Sequence, residues 1–185
     1  ALLLTNGRGL SNAINLTNNG TGTATLGFSG TGTNYTEFTG PITIARDLTI
    51  LGGTTDRLHF SNSISGTGNV TITGGQRVTM SGSNSFSGNL LLSGTGSVFQ
   101  TFGGNPVPDG SNVDVGAGTT FQVYTSETIG GLTGTGKLWP IAGKPTLTVG
   151  GNNTSGTFGG TWTNNVSDHL NITKIGTGTQ TLSGV

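Results

Sequence analysis

Two short clusters in this chain place a carboxylate beside an imidazole. The first is Asp56-Arg57-Leu58-His59, where alternation along a strand sets Arg57 and His59 on one face. A carboxylate and an imidazole within reach of each other can shuttle a proton. The second cluster is Asp168-His169. No second carboxylate or nucleophile motif accompanies either, so both read as solvated polar residues at strand edges. The acidic residues are otherwise scattered, and Asp109 and Asp114 form the only close pair. A calcium loop needs more oxygen ligands at fixed offsets, whereas Pro108-Asp109-Gly110-Ser111 has the residue types of a tight turn. The expectation is therefore no catalytic set, no metal site and no cofactor. The competing enzyme class is a β-helix polysaccharide lyase or hydrolase, which a cleft lined by clustered acids would favour.

Other chemistry would come from binding. Tyr124, Trp139 and Trp162, together with Tyr35, carry rings that can stack on sugars, and surface glycans are the ligand class this suggests. The plain alternative is packing in the core or capping of a coil. Thr-x-Thr pairs at Thr71/Thr73, Thr146/Thr148, Thr161/Thr163 and Thr179/Thr181 have the form of an ice-binding array, but threonine is also a good strand residue on a wet face. Asn-x-Ser/Thr sites at Asn15, Asn19, Asn34, Asn69, Asn152, Asn153, Asn165 and Asn171 suit glycosylation, although a chain this rich in Ser, Thr and Asn produces several by composition alone.

Composition narrows the classes further. Seven Lys plus Arg balance seven Asp plus Glu among 185 residues, so no electrostatic funnel draws in nucleic acid. Cysteine is absent, which removes disulfides and thiolate chemistry. No apolar run has the length of a spanning helix, so no membrane insertion is expected. With 36 glycines and 8% charged residues the composition alone would suggest disorder, but the apolar residues are patterned.

The pattern is alternation with period two: Ile42-Thr43-Ile44, Leu48-Thr49-Ile50, Val70-Thr71-Ile72-Thr73, Val78-Thr79-Met80, Val113-Asp114-Val115, Phe121-Gln122-Val123, Thr146-Leu147-Thr148-Val149 and Leu170-Asn171-Ile172. Each run is short and bounded by Gly, Asn, Ser or Pro, which leaves no room for long helices. Gly-Thr-Gly knots recur, in I-S-G-T-G-N-V from Ile64, L-T-G-T-G-K-L from Leu132 and K-I-G-T-G-T-Q from Lys174. Self-similarity at a spacing of about 30 to 35 residues marks stacked units that cannot bury an apolar face alone. The predicted fold is an all-β, right-handed parallel β-helix of about six to nine coils, some 30 to 45 Å long. It forms a single β-solenoid domain over 1–185, and an antiparallel β-sandwich is the alternative.

Arg77 to Gly88 (R-V-T-M-S-G-S-N-S-F-S-G) and Lys174 to Val185 (K-I-G-T-G-T-Q-T-L-S-G-V) resemble the passenger-associated β-strand repeat of bacterial autotransporter passenger domains. That repeat commonly reads K-x-G-x-G-T-L-T-L-S-G-x-N-T-Y-S-G, with Phe86 here at the aromatic position. Val107 to Leu138 resembles the link between such repeats, and Pro41 to Gly68 resembles it more loosely. The resemblance implies a right-handed β-helix displayed or released outside a Gram-negative-type cell. It implies no particular activity.

The expected role is a non-enzymatic structural module of an extracellular β-solenoid, serving as stalk, fibre or adhesive surface. Both ends read as uncapped, exposing apolar core and unpaired backbone. The expected partners are flanking repeats of a longer chain or identical subunits stacked head to tail, with Leu2, Leu3, Leu4, Leu182 and Val185 at the junction.

Overall fold

A computed structural model describes residues 1–5, 7–29, 35–53, 57–164 and 167–184. Its described residues contain strands and turns but no helix, and every strand ladder is parallel. The chain is a parallel β-solenoid of about eight turns, and the antiparallel sandwich is excluded by the parallel pairing. Sheet A contains nine strands, from Leu2–Leu4 to Gln180–Leu182, and sheet B eight, from Gly9–Leu10 to Thr161–Trp162. The third side changes hands along the stack. Sheet C (Ile14–Leu16, Ile42–Ile44, Ile64–Gly66 and Ser85–Phe86) serves the early coils, and sheet D (Glu127–Ile129, Thr146–Val149 and Asn171–Lys174) the later ones. Nine strands about 4.8 Å apart give sheet A a length near 40 Å.

A coil is shorter than the spacing of the sequence repeat. Leu2 pairs with Leu26, Val70 with Leu90 and Val113 with Leu132, offsets of 24, 20 and 19 residues. In sheet B the offset stretches to 28 at Gly9 with Glu37 and contracts to 17 at Thr120 with Lys137. The Gly-Thr-Gly knots therefore mark some corners rather than every turn. Their chemistry is nevertheless clear. The first glycine of the knot turns the corner at positive φ, 118° at Gly66 and 103° at Gly134. A Cβ at Gly66 would sit 2.0 Å from Ile44 O, and one at Gly134 would sit 2.2 Å from Val115 O. Both oxygens belong to the preceding coil, so each position requires glycine for its dihedral and for its contact.

Alternation then sorts the remaining side chains. Leu26, Ile50, Ile72 and Leu92 form one inward column of sheet A, paired rung by rung. Phe38 stacks on Phe60 with ring centres 4.9 Å apart, and Phe99 on Phe121 at 5.4 Å. These spacings match the distance between rungs, so each ring is removed from water by its counterpart above or below. Full burial of such a side chain contributes about 1.5–3 kcal/mol. Between sheets C and D the core is closed by Val107 instead of a strand. Backbone groups at this seam lack ladder partners, and buried polar side chains serve them. Asn84 Oδ1 accepts from Ile64 N–H at 2.7 Å while Asn84 Nδ2 donates to Pro106 O at 2.7 Å. Glu127 Oε1 accepts from Val107 N–H at 3.1 Å.

Candidate functional site

The outward column of sheet B carries the densest polar chemistry. Glu37 pairs with His59, His59 with Thr79, Thr79 with Gln100, Gln100 with Gln122 and Gln122 with Trp139, each one coil further on. Inward neighbours on these strands (Phe38, Leu58, Phe60, Val78, Met80, Phe99 and Phe121) are buried, which fixes the alternate positions outward. Arg57 and Arg77 form one flanking row, and Ser81, Phe102 and Tyr124 the other. Two adjoining depressions result, sharing Arg57. One is lined by Tyr35, His59, Thr79, Gln100 and Phe102, the other by Gln76, Arg77, Val98 and Gln122.

At one end His59 is held from both ring nitrogens. Nδ1 lies 3.2 Å from Glu37 Oε1 and also meets the Tyr35 hydroxyl, while Nε2 lies 2.7 Å from Ser81 Oγ. Burial pushes the His59 pKa below its ordinary value, and the charge and hydrogen bond of Glu37 oppose that shift. The Tyr35 hydroxyl is pushed up to about 12, first by burial and then by Glu37, against the pull of Arg57. A Ser–His–Glu line can in principle activate a hydroxyl. Here Tyr35 competes for the nitrogen that Glu37 would orient. The N–H groups of Ser81, Phe102 and Gly103 are also already donated, to Phe60 O, Met80 O and Thr125 Oγ1. They supply no donors for an oxyanion. The cluster forms a hydrogen-bond network at the floor of the groove.

Towards the other end the floor is made of side-chain amides. Gln100 is 8% exposed and Gln122 7%, unusually low for outward residues of a solenoid. Gln100 Oε1 accepts from Thr79 Oγ1 at 3.2 Å, whereas Gln122 Oε1 and Arg77 Nε are buried with no hydrogen-bond partner. Arg57 and Arg77 flank adjacent rungs. Burial lowers the Arg77 pKa, and the charge of Arg57 adds to the shift. Phe102 and Tyr124 are both outward and in contact, their ring centres 5.0 Å apart.

Among the aromatic candidates, Tyr124 and Trp139 lie on this face, 37% and 40% exposed. Lys137 Nζ sits 4.7 Å from the Trp139 ring centre and occupies one of its faces. Trp162 is half-buried, packs against the core and meets Phe158 edge-on, so it is separated in environment from the other two. Arg57 and His59 share a face as alternation requires; Asp56 lies outside the described residues. His59 itself is not the solvated residue expected. It is held by Glu37, Tyr35 and Ser81, none of which is its sequence neighbour.

The remaining motifs disperse. Thr71/Thr73 and Thr181 belong to sheet A, Thr146/Thr148 to sheet D and Thr161 to sheet B, so the Thr-x-Thr pairs make no single array. Asp114 points outward from sheet A while Asp109 lies near Glu127, and no group of three or more His, Cys, Asp or Glu side chains converges among the described residues. Asp168 Oδ1 accepts from Gly143 N–H at 2.7 Å, a loop contact. Of the sequons, those at Asn34 and Asn165 begin on residues outside the described set. Leu2, Leu4 and Leu182 occupy inward columns at the edges of sheet A, opposite Leu26, Phe28 and Phe158, whereas Leu3 lies in the outward register opposite Gly27. Val185 lies outside the described residues. No helix among the described residues is long and apolar enough to cross a membrane.

No protein-family model, curated protein or solved structure matches this chain.

Sequence reasoning missed Glu37, Ser81, Phe102, Gln100, the special burial of Gln122 and the contact of Tyr35 with His59. The available signal was arithmetic: Glu37, His59 and Ser81 are spaced by 22 residues, close to the local coil length. It is hidden because coil length changes along the chain.

Proposed function

We propose that the chain is a non-enzymatic structural module of an extracellular bacterial β-solenoid, working as a stalk or fibre segment that stacks coil on coil and presents its outer faces. The observation that carries this reading is the division of labour within each rung. Inward columns are apolar through successive coils, and outward columns are mostly threonine, serine and amide. Such a body gains stability by nearest-neighbour stacking and tolerates any number of coils. The extracellular setting rests on the passenger-repeat resemblance, to which the structure adds a physical account of the motif. In Arg77 to Gly88, Asn84 serves the seam, Phe86 is buried, and Gly82 and Gly88 would place a Cβ within 2.2 and 2.3 Å of backbone oxygens of the preceding coil.

The edges of sheet A support coil-on-coil association with flanking repeats or with another copy. Leu2 and Leu182 occupy core columns yet are 43% and 41% exposed. Parallel pairing against another coil would cover both. The test is sedimentation and negative-stain imaging of the purified chain. End-to-end species should grow with concentration and disappear in Leu2→Glu and Leu182→Glu variants, while the β-sheet circular dichroism is retained. A monodisperse monomer at high concentration would overturn the stacking. Turnover of a glycan or ester that vanishes in His59→Phe would overturn the non-enzymatic reading.

A further inference from the structure

The outer face of sheet B holds two buried polar atoms without partners and, beside them, an exposed aromatic pair. The first is a buried acceptor without a donor, Gln122 Oε1, on a side chain more than nine-tenths buried. The second is a buried donor without an acceptor, Arg77 Nε, on a guanidinium that shares its depression with Arg57. The aromatic pair is Phe102 and Tyr124, beside the same column. A buried polar atom left unpaired costs about 1–3 kcal/mol, so both orphans favour an occupant that satisfies them. Each also limits what the occupant is. Gln122 Oε1 requires a hydroxyl or N–H donor. The Arg77 guanidinium, with Arg57 lining the same depression, favours an anion, and a planar carboxylate suits a guanidinium. The two rings, tilted 43° to one another, each offer an apolar face on which a sugar ring can rest.

We propose that this groove is a binding site for a carboxylated oligosaccharide lying along the solenoid axis. One acidic sugar would set its carboxylate against Arg77 beside Arg57, the Gln122 side chain would turn outward so that Oε1 accepts from a sugar hydroxyl, and a neighbouring ring would rest its C–H face on Tyr124 or Phe102. An oligosaccharide with a carboxylated sugar supplies all three complements across two adjacent rings. A simple inorganic anion supplies only the charge, and an apolar peptide only the ring contact. The network of Glu37, Tyr35, Ser81 and His59 forms the floor at the far end. This inference goes beyond the scaffold role and stands independently of end-to-end stacking.

The test is isothermal titration of the full chain with tri-galacturonate, a sialylated lactose, neutral maltotriose and sodium sulfate. At least one carboxylated sugar should bind, with maltotriose and sulfate weaker by about tenfold or more. Gln122→Leu removes the orphan acceptor and should weaken that sugar about tenfold while leaving thermal stability equal or higher. Arg77→Lys, which keeps charge but has no Nε–H, and Tyr124→Ala should each weaken it as well. The proposal is overturned if neither carboxylated sugar binds at millimolar concentration, if sulfate or maltotriose binds as tightly, or if Gln122→Leu folds and binds unchanged.

Discussion

Replacing Glu127 by Gln should stabilise this protein at neutral and alkaline pH, and the size of the effect can be worked from its surroundings. Glu127 is 5% exposed at the seam between sheets C and D. Burial pushes its carboxyl up to about 8 from 4.5; the Val107 N–H opposes the shift, and the charge of nearby Asp109 adds to it. Asn105, oriented with its amide nitrogen towards the pair, reaches Glu127 Oε1 at 3.2 Å and Asp109 Oδ1 at 3.3 Å. Because the folded pKa is raised, the folded state holds a proton that the unfolded state has released between pH 4.5 and about 8. Stability therefore falls as pH rises through that window. At about 1.4 kcal/mol per pH unit, the loss approaches roughly 3 kcal/mol at pH 7 and levels off at about 5 kcal/mol above pH 8. In Glu127→Gln the carbonyl still accepts from Val107, the group cannot ionise, and this component of the pH dependence disappears. Urea titrations at pH 5, 7 and 9 measure the effect. A solenoid opens locally, so amide exchange across residues 105–130 is the companion measurement. Wild-type and variant curves that run parallel from pH 5 to 9 would refute the reasoning.

Two further substitutions probe the stacking itself. Gly66→Ala should destabilise the coil by about 2 kcal/mol or more, because its Cβ would press on Ile44 O as well as strain the backbone. Gly103→Ala, also at positive φ but with no atom within 4 Å, should cost only about 1 kcal/mol in the same urea series. Asn112→Ala removes the acceptor of Gly131 N–H at 2.7 Å and Thr154 Oγ1 at 2.9 Å, an expected loss of about 2 kcal/mol. Amide exchange at Gly131 should quicken while that at Ile44 and Ile50 stays slow, as nearest-neighbour coupling requires.

The strands were legible wherever an apolar residue alternated with a hydroxyl. Ile42–Ile44, Val70–Thr73, Val113–Val115 and Thr146–Val149 occur with the bounds their pattern gives. The run at Leu170 is displaced, since the strand begins at Asn171 and Leu170 is buried before it. Period-two alternation reports which face is buried, a local property that survives any rearrangement of corners. Coil length is different. It depends on loops such as 102–112, where Val107 replaces a strand and Glu127 and Asn84 bind the freed backbone. No short motif encodes that sum. The groove on sheet B was illegible for the same reason: Arg77 and Gln122 come to line one depression only after two coils have been laid down, and each coil has its own length.

This separation has a consequence for how the fold acquires function. Inward columns couple each coil to the next through contacts such as Phe99 on Phe121, so a change there is felt by both neighbours. Outward columns lie on the far side of the same backbone, where His59, Thr79, Gln100 and Gln122 follow one another about 4.8 Å apart without touching the core. Any one of them can be exchanged while stacking is retained, provided no polar atom is left buried and unpaired. Gln122 and Arg77 breach that condition. Two long side chains with buried, unpaired atoms carry a stability cost. A bound ligand that completes both would supply the compensation, which is why the groove, rather than the Thr-x-Thr pairs or the scattered acids, is where recognition is expected on this solenoid.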